Sequence, residues 1–255
     1  MDFELAGKRA LVTGGTRGIG RAIAEQLADE GADLAICARD RAEVAEAAAA
    51  LARKGVRVTG AAVDIADGVA LKSWIVSAAA ELGGLDIVVP NASAMAPAAS
   101  EEDWRQSFDV DIMGTVNTVN GALPFLERSP AGSIVIIATV SAVETSADFG
   151  VEAYGSLKAA LLHYSKSLAN ALAPKGIRVN AVSPGSIYVK DGFWGRVERD
   201  QPEMFAGVLK ANPLGRMGRP DEIANAVAFL ASAKASFITG TNLTVDGGIT
   251  VRVQY

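Results

Sequence analysis

Thr13-Gly14-Gly15-Thr16-Arg17-Gly18-Ile19-Gly20 lies between an apolar run at 9–13 and a stretch of helical pattern at 19–30. Glycines at a strand-to-helix junction let the backbone turn sharply and approach a pyrophosphate, which then rests on the helix N-terminus. Taken alone, such a loop reads equally well as a tight turn. Its place after a strand and ahead of a helix points to a bound dinucleotide. Outward from the loop the alternation continues. Residues 33–37, 56–63, 85–89, 133–138, 177–182 and 243–245 read as strands, and 41–53, 68–82, 101–126, 151–173 and 220–231 as helices. The strands are continuously apolar rather than alternating, so both faces of the sheet must be covered. That is the pattern of a doubly wound, parallel α/β sheet with helices on each side. Short connections and the absence of a repeat give a single domain over 1–255. The stretch 186–219 reads as irregular and holds Tyr188, Phe193, Trp194 and Phe205. An irregular segment of that length in a compact domain is usually functional or disordered.

Composition narrows the function classes. The chain has 255 residues, 24 Lys and Arg against 29 Asp and Glu, and a net charge of -5. With no basic stripe to offset that charge, nucleic acid is a poor partner. One cysteine, Cys37, excludes a disulfide framework within the chain, and one histidine, His163, makes a His-rich metal site or a Cys/His nucleophile pair a poor reading. No metal is expected. Met1-Asp2-Phe3-Glu4 has no basic leader character, and no run of 18 apolar residues is present. The expectation is a soluble, cytoplasmic protein with no membrane partner. Cys37 reads as a small buried hydrophobe, His163 as a core or subunit-interface residue, and Trp104 with Phe108 as packing.

The end of the second strand bears on which dinucleotide is held. An acid there would accept hydrogen bonds from the adenosine ribose and repel a 2′-phosphate. The sequence is Cys37-Ala38-Arg39-Asp40. Alanine stands where an acid would select NAD(H), Arg39 follows, and Arg17 lies in the glycine loop. Two guanidiniums can clamp a phosphate, so the expectation is NADP(H). In the alternative, Arg39 is solvated and Asp40 takes the ribose. Asp64, after the third strand, reads either as an adenine contact or as the N-cap of the next helix.

Tyr154-Gly-Ser-Leu-Lys158 sets a phenol and an ammonium at i and i+4 on one helix face. A nearby ammonium favours phenolate, which predicts a Tyr154 pKa below the ordinary value of about 10. Ser141, just past the fifth strand, shares the carboxyl edge of the sheet, where ligands of such folds bind.

Taken together, these pieces resemble the short-chain dehydrogenase/reductase family over nearly all of the chain. The resemblance rests on Thr13 to Gly20, Asp64, Asn91-Ala92, Ser141, Tyr154, Lys158, Pro184-Gly185, Ile238-Thr-Gly240 and Asp246-Gly-Gly248. It implies a Rossmann-like domain with strand order 3-2-1-4-5-6-7. It implies that Tyr154 is the general acid in reduction and the general base in oxidation. Lys158 would lower its pKa and hold the nicotinamide ribose, and Ser141 would bond the substrate oxygen. The implied cofactor contacts are Gly14, Thr16, Arg17, Gly18, Ile19, Gly20, Arg39, Asp64, Ile65, Asn91, Ala92, Tyr154, Lys158, Pro184, Gly185 and Ile187. The segment 186–219 would fold over the substrate, and a homotetramer or homodimer would form partly through the helix that bears Tyr154.

Three positions depart from the family pattern. Pro90 stands in place of an asparagine. Asp111 stands where an asparagine usually helps relay protons. Val189 stands where a threonine usually holds the carboxamide. The activity expected is interconversion of a ketone or aldehyde with an alcohol. A 3-oxoacyl-thioester reductase is the alternative, with Lys190 and Arg196 as its only hints. From a different class, a cofactor-binding protein without turnover remains a third reading.

Overall fold

The computed structural model describes residues 2–95, 100–145 and 152–251. Seven strands are present among them: β1 Arg9–Thr13, β2 Asp33–Ala38, β3 Val58–Ala62, β4 Ile87–Val89, β5 Ser133–Ile137, β6 Arg178–Pro184 and β7 Asn242–Val245. All pair in parallel, in the order β3-β2-β1-β4-β5-β6-β7, as the resemblance implies. The helices, in chain order, are α1 Gly18–Asp29, α2 Arg41–Ala52, α3 Gly68–Leu82, α4 Glu101–Ser107, α5 Gly114–Leu126, α6 Glu152–Leu172, α7 Phe193–Asp200, α8 Pro202–Ala211 and α9 Pro220–Ala231.

Two cores explain the continuously apolar strands. Ala10 and Val12 of β1, with Val135 and Ile137 of β5, pack under α1, α2 and α9. Leu11, Ile134 and Ile136 point the other way, under α3, α5 and α6. Successive side chains of a strand alternate faces, so a sheet buried on both sides needs an apolar residue at every step. On the first face α1 lies against α9, through Ile23, Ala24 and Leu27 on one side and Ile223, Val227 and Ala228 on the other.

The structure differs from the sequence reading in two stretches. The helix expected at 101–126 is interrupted by a π-helical turn, Phe108–Met113, between α4 and α5. One extra residue per turn swings Asp111 inward, where it is 1 % exposed; such turns recur at functional sites. The stretch 186–219 is not irregular throughout, because α7 and α8 occupy much of it. They are divided at Gln201, which takes an extended-side conformation (φ −142°, ψ 62°) ahead of Pro202. Elsewhere strand and helix bounds move by no more than two residues.

Strands β1 and β4 are tied at their starts by a part-buried ion pair. Arg9 donates to Asp86 from Nε (2.8 Å to Oδ2) and Nη2 (2.8 Å to Oδ1), and its backbone N–H donates at 2.9 Å. Ser129 adds a hydroxyl at 2.6 Å. Burial alone would raise the Asp86 carboxyl, but Arg9 and Ser129 together hold it below the usual carboxylate range. A carboxylate depressed in the folded state stabilises above its unfolded pKa, and that contribution fades as pH falls through the folded one. Asp86→Asn is therefore expected to cost about 1–2 kcal/mol at neutral pH. The gap to wild type should narrow as pH drops below about 4. Urea unfolding at several pH values checks both; a gap independent of pH would contradict the ion-pair account.

Candidate active site

The carboxyl ends of β4, β5 and β6 bring the expected catalytic groups to one place. β5 runs out through Ala138 and Thr139 into a short 3-10 turn, Val140–Ala142, where Thr139 Oγ1 accepts from the Ser141 N–H at 3.3 Å. α6 packs on this turn. Gly155 makes that packing possible, since a Cβ there would lie 2.8 Å from the Ser141 carbonyl oxygen. No motif in the sequence singled Gly155 out. Tyr154 is half-buried one helical turn before Lys158, whose Nζ lies 5.9 Å from the Tyr154 ring centroid. The same Nζ donates to the Ile137 carbonyl at 3.0 Å and sits 3.2 Å from Asp111 Oδ1, both side chains being almost fully buried.

Tyr154 departs from the expected direction. Burial raises its pKa above the ordinary phenol value; Lys158 and a hydrogen bond with the Thr139 side chain pull it down, and Asp111 pushes it up. Burial wins, so the expected net lowering by Lys158 is corrected. Thr139 was not singled out in the sequence: it follows the apolar run 133–138 with no motif of its own.

The glycine loop forms a cradle with chemical consequences. A Cβ on Gly20 would stand 2.1 Å from the Gly14 carbonyl oxygen and 2.3 Å from Asn91 Nδ2. Gly14 has φ +67° and Gly18 φ +57°, a region that favours glycine. Asn91 supports the loop from beneath, donating from Nδ2 to Thr13 O at 2.9 Å and Gly14 O at 3.3 Å. The Asn91 and Ala92 N–H groups both donate to Thr13 Oγ1. Whereas α2, α3 and α4 are capped by Asp40, Asp67 and Ser100, α1 begins at Gly18-Ile19-Gly20 with no side-chain cap and no acid in its first turn. Its first amides, with the dipole behind them, suit a pyrophosphate. The residues present fit a dinucleotide.

At the adenosine end, Arg17 and Arg39 are both exposed. Asp40 does not stand ready for a ribose with both oxygens: its Oδ1 accepts from the Ala42 and Glu43 N–H groups and caps α2. Glu43 is an acid the sequence reading missed. It accepts from Thr16 Oγ1 at 3.1 Å and lies 4.0 Å from Arg17. Its distance of three residues from the capping Asp40 was the available signal. Asp64 is exposed beyond β3 and accepts from the Ala66 N–H, while Asp67 caps α3; the N-cap reading of Asp64 is thus corrected. The Ile65 side chain is buried against Gly114.

At the opposite end of the cleft, Gly185 passes tightly by Asp246, where a Cβ would meet its Cα at 2.7 Å. Pro184 closes β6, and Ile187 bridges to Gly218. Val189 Cγ2 lies 3.9 Å from where a Cβ on Gly18 would sit, so the segment before α7 starts beside the glycine loop. Tyr188 donates to Glu198 at 2.5 Å and stacks edge-on against Phe205. Phe193 and Trp194 are in edge contact with each other. Lys190 and Arg196 are exposed. His163 is exposed on α6 rather than in the core, and Trp104 and Phe108 are 38 % and 46 % exposed rather than packed. Cys37 is buried as expected, its thiol pushed up to about 12 by burial. Among the described residues no group of three His, Cys, Asp or Glu is placed to hold a metal, and no helix is long and apolar enough to cross a membrane.

Residues 14–250 match the sequence model of a family described as enoyl-(acyl carrier protein) reductase. The chain is 41% identical over 254 residues to an isoepoxydon dehydrogenase of Penicillium expansum, with 98% of each covered. The chain belongs to the short-chain dehydrogenase/reductase family. A 3-oxoacyl-(acyl-carrier-protein) reductase of Staphylococcus aureus is 37% identical over 95% of this chain and 98% of its own length. Among solved structures, L-sorbose reductase of Gluconobacter frateurii, complexed with NADPH and L-sorbose, matches with a TM-score of 0.91 and 33% identity, covering 99% of this chain and all of that one. Family membership makes the chain an oxidoreductase of the kind that acts on CH–OH and C=O groups.

Proposed function

We propose that the protein is an NADP(H)-dependent reductase that interconverts a ketone or aldehyde with an alcohol. The observation that carries this reading is the convergence of Tyr154, Lys158 and the Thr139–Ser141 turn beside an uncapped, glycine-lined helix start. When bound, the nicotinamide supplies the hydride in reduction and accepts it in oxidation. The chain orients the reactants and moves the proton. Ser141 holds the substrate oxygen, Tyr154 gives it a proton or takes one away, and Lys158 holds the ribose. The backbone from Gly185 to Ile187 faces the nicotinamide, and α7 and α8 close over the substrate and exclude water. The aromatic side chains of that segment suit a compact, partly apolar carbonyl compound.

The NADP(H) preference is supported by Ala38 in place of an acid, by exposed Arg17 and Arg39 available to a phosphate, and by Asp40 being engaged in a cap. Arg39→Asp is expected to lower kcat/KM with NADPH by about tenfold and to leave NADH use unchanged or improved. Steady-state rates with both cofactors check this; an unchanged ratio removes Arg39 from the role.

A 3-oxoacyl thioester as substrate is the second reading, favoured by the Staphylococcus aureus relative and by exposed Lys190 and Arg196 on the covering segment. NADPH consumption against a panel of ketones, aldehydes, diketones and oxoacyl thioesters decides between the two. Binding of NADPH with no consumption across the panel would favour a cofactor-binding protein without turnover. Assembly as a homotetramer or homodimer is part of the proposal and would cover the exposed Trp104 and Phe108 beside Leu157.

A further inference from the structure

The π-helical turn carries a charge into the catalytic centre. Asp111 and Lys158 form an ion pair whose side chains are 1 % and 3 % exposed, with 3.2 Å between Oδ1 and Nζ. The contact lacks hydrogen-bond geometry: among the described residues Oδ1 has no hydrogen-bond partner, Oδ2 accepts the Ala94 N–H at 3.4 Å, and Nζ donates instead to the Ile137 carbonyl. The interaction is therefore one of charge. An ammonium by itself favours a neighbouring phenolate, but an ammonium with a carboxylate at contact is a dipole, whose field at the phenol is far weaker.

We propose that Asp111 is a positioning residue that screens Lys158 from Tyr154, adding to burial in holding Tyr154 as a phenol and biasing the site toward carbonyl reduction. The inference rests on the reductase reading of the site. In that direction the carbonyl carbon gains a hydride, the carbonyl oxygen takes the Tyr154 proton, and the phenolate regains a proton from solvent. In the reverse direction Tyr154 must first lose its proton, which a screened Lys158 assists less.

The other charged groups near α6 do not alter this account. The 140–142 turn brings no ionisable side chain. Arg178 of β6 and Lys175 after α6 stand at the far end of the helix, toward the opposite edge of the sheet. The acids of α4 and Asp109 lie at or near the solvent-exposed rim. Lys158 and Asp111 are the charges that act on Tyr154, in opposite senses.

The test is a tyrosinate absorbance titration of the intact protein, taken as the difference between each variant and the same variant carrying Tyr154→Phe. It needs no turnover, so it stands apart from the reductase reading. Asp111→Asn is expected to lower the Tyr154 midpoint by about one pH unit, and Asp111→Glu to stay within a few tenths of wild type. Asp111→Ser carries the same expectation as the asparagine variant and serves should that one fail to fold. In activity, the pH profile for alcohol oxidation by the asparagine variant should shift to lower pH by the same amount. A midpoint that stays put or rises in both neutral variants overturns the proposal even if the enzyme reduces carbonyls. A lowered midpoint in a protein that turns over no carbonyl would keep the screening and discard the reductase reading.

Discussion

Tyr154→Phe is expected to lower kcat for carbonyl reduction by about 10³-fold while leaving NADPH affinity within a few fold of wild type. The hydroxyl is the only feature removed. The ring stays half-buried, and Lys158 stays held by Ile137 and Asp111. What is lost is the proton that must reach the substrate oxygen as hydride arrives at carbon; without it the product is left as an unprotonated alkoxide. Initial rates of NADPH consumption and a separate NADPH binding isotherm check the two halves. A loss of less than tenfold would place the proton donor elsewhere, and Ser141 would be examined next. A parallel collapse in cofactor affinity would mean that the ring rather than the hydroxyl is doing the work.

Gly20→Ala is expected to abolish measurable NADPH binding, a loss of at least about 100-fold. A methyl group at that position would overlap the Gly14 carbonyl and the Asn91 amide. Neither can yield alone, because Asn91 Nδ2 is hydrogen-bonded to Thr13 and Gly14, and Thr13 Oγ1 holds the next two amides. The loop must therefore lift as a unit, moving Gly14 and Gly18 off the path of the pyrophosphate. Overpacking of this kind costs about 1–3 kcal/mol of stability, so the variant should still fold. Calorimetric titration with NADPH, alongside a thermal melt, separates the two effects. Retained affinity within tenfold would show that the cradle relaxes around the methyl group.

Much of the fold was legible because its signals are local. Continuous apolar runs such as Ser133–Ile137 can only belong to strands covered on both sides, and glycine at 14, 18 and 20 follows a strand by a fixed step. Tyr154 and Lys158 share a face by helical spacing alone. What escaped depends on long-range packing. The π-helical turn left no mark, since the residues on both sides of it have helical pattern and nothing in Phe108–Met113 breaks a helix. The division of 186–219 into α7 and α8 was partly signalled by Pro202, but both helices are short and α7 is rich in charge. Burial of Tyr154 reversed the expected direction of its pKa, and burial is a property of the folded whole. Glu43, Thr139 and Gly155 were missed for the same reason: each matters through a neighbour distant in sequence, as Gly155 does through Ser141.

The pairing of α1 with α9 bears on how the chain reaches its native state. α1 ends at Asp29 and α9 starts at Pro220, so the apolar face of Ile23, Ala24 and Leu27 has no cover until most of the chain has been made. The ties between Arg9 and Asp86 and between Lys234 and Glu4 set the same order, the second joining residues 230 apart. During synthesis, α1 waits as a sticky, half-dressed surface on the ribosome. A chain stopped before α9 would keep its glycine loop and still be prone to clump. For this protein, the speed and fidelity of production rest on the last forty residues more than on the first.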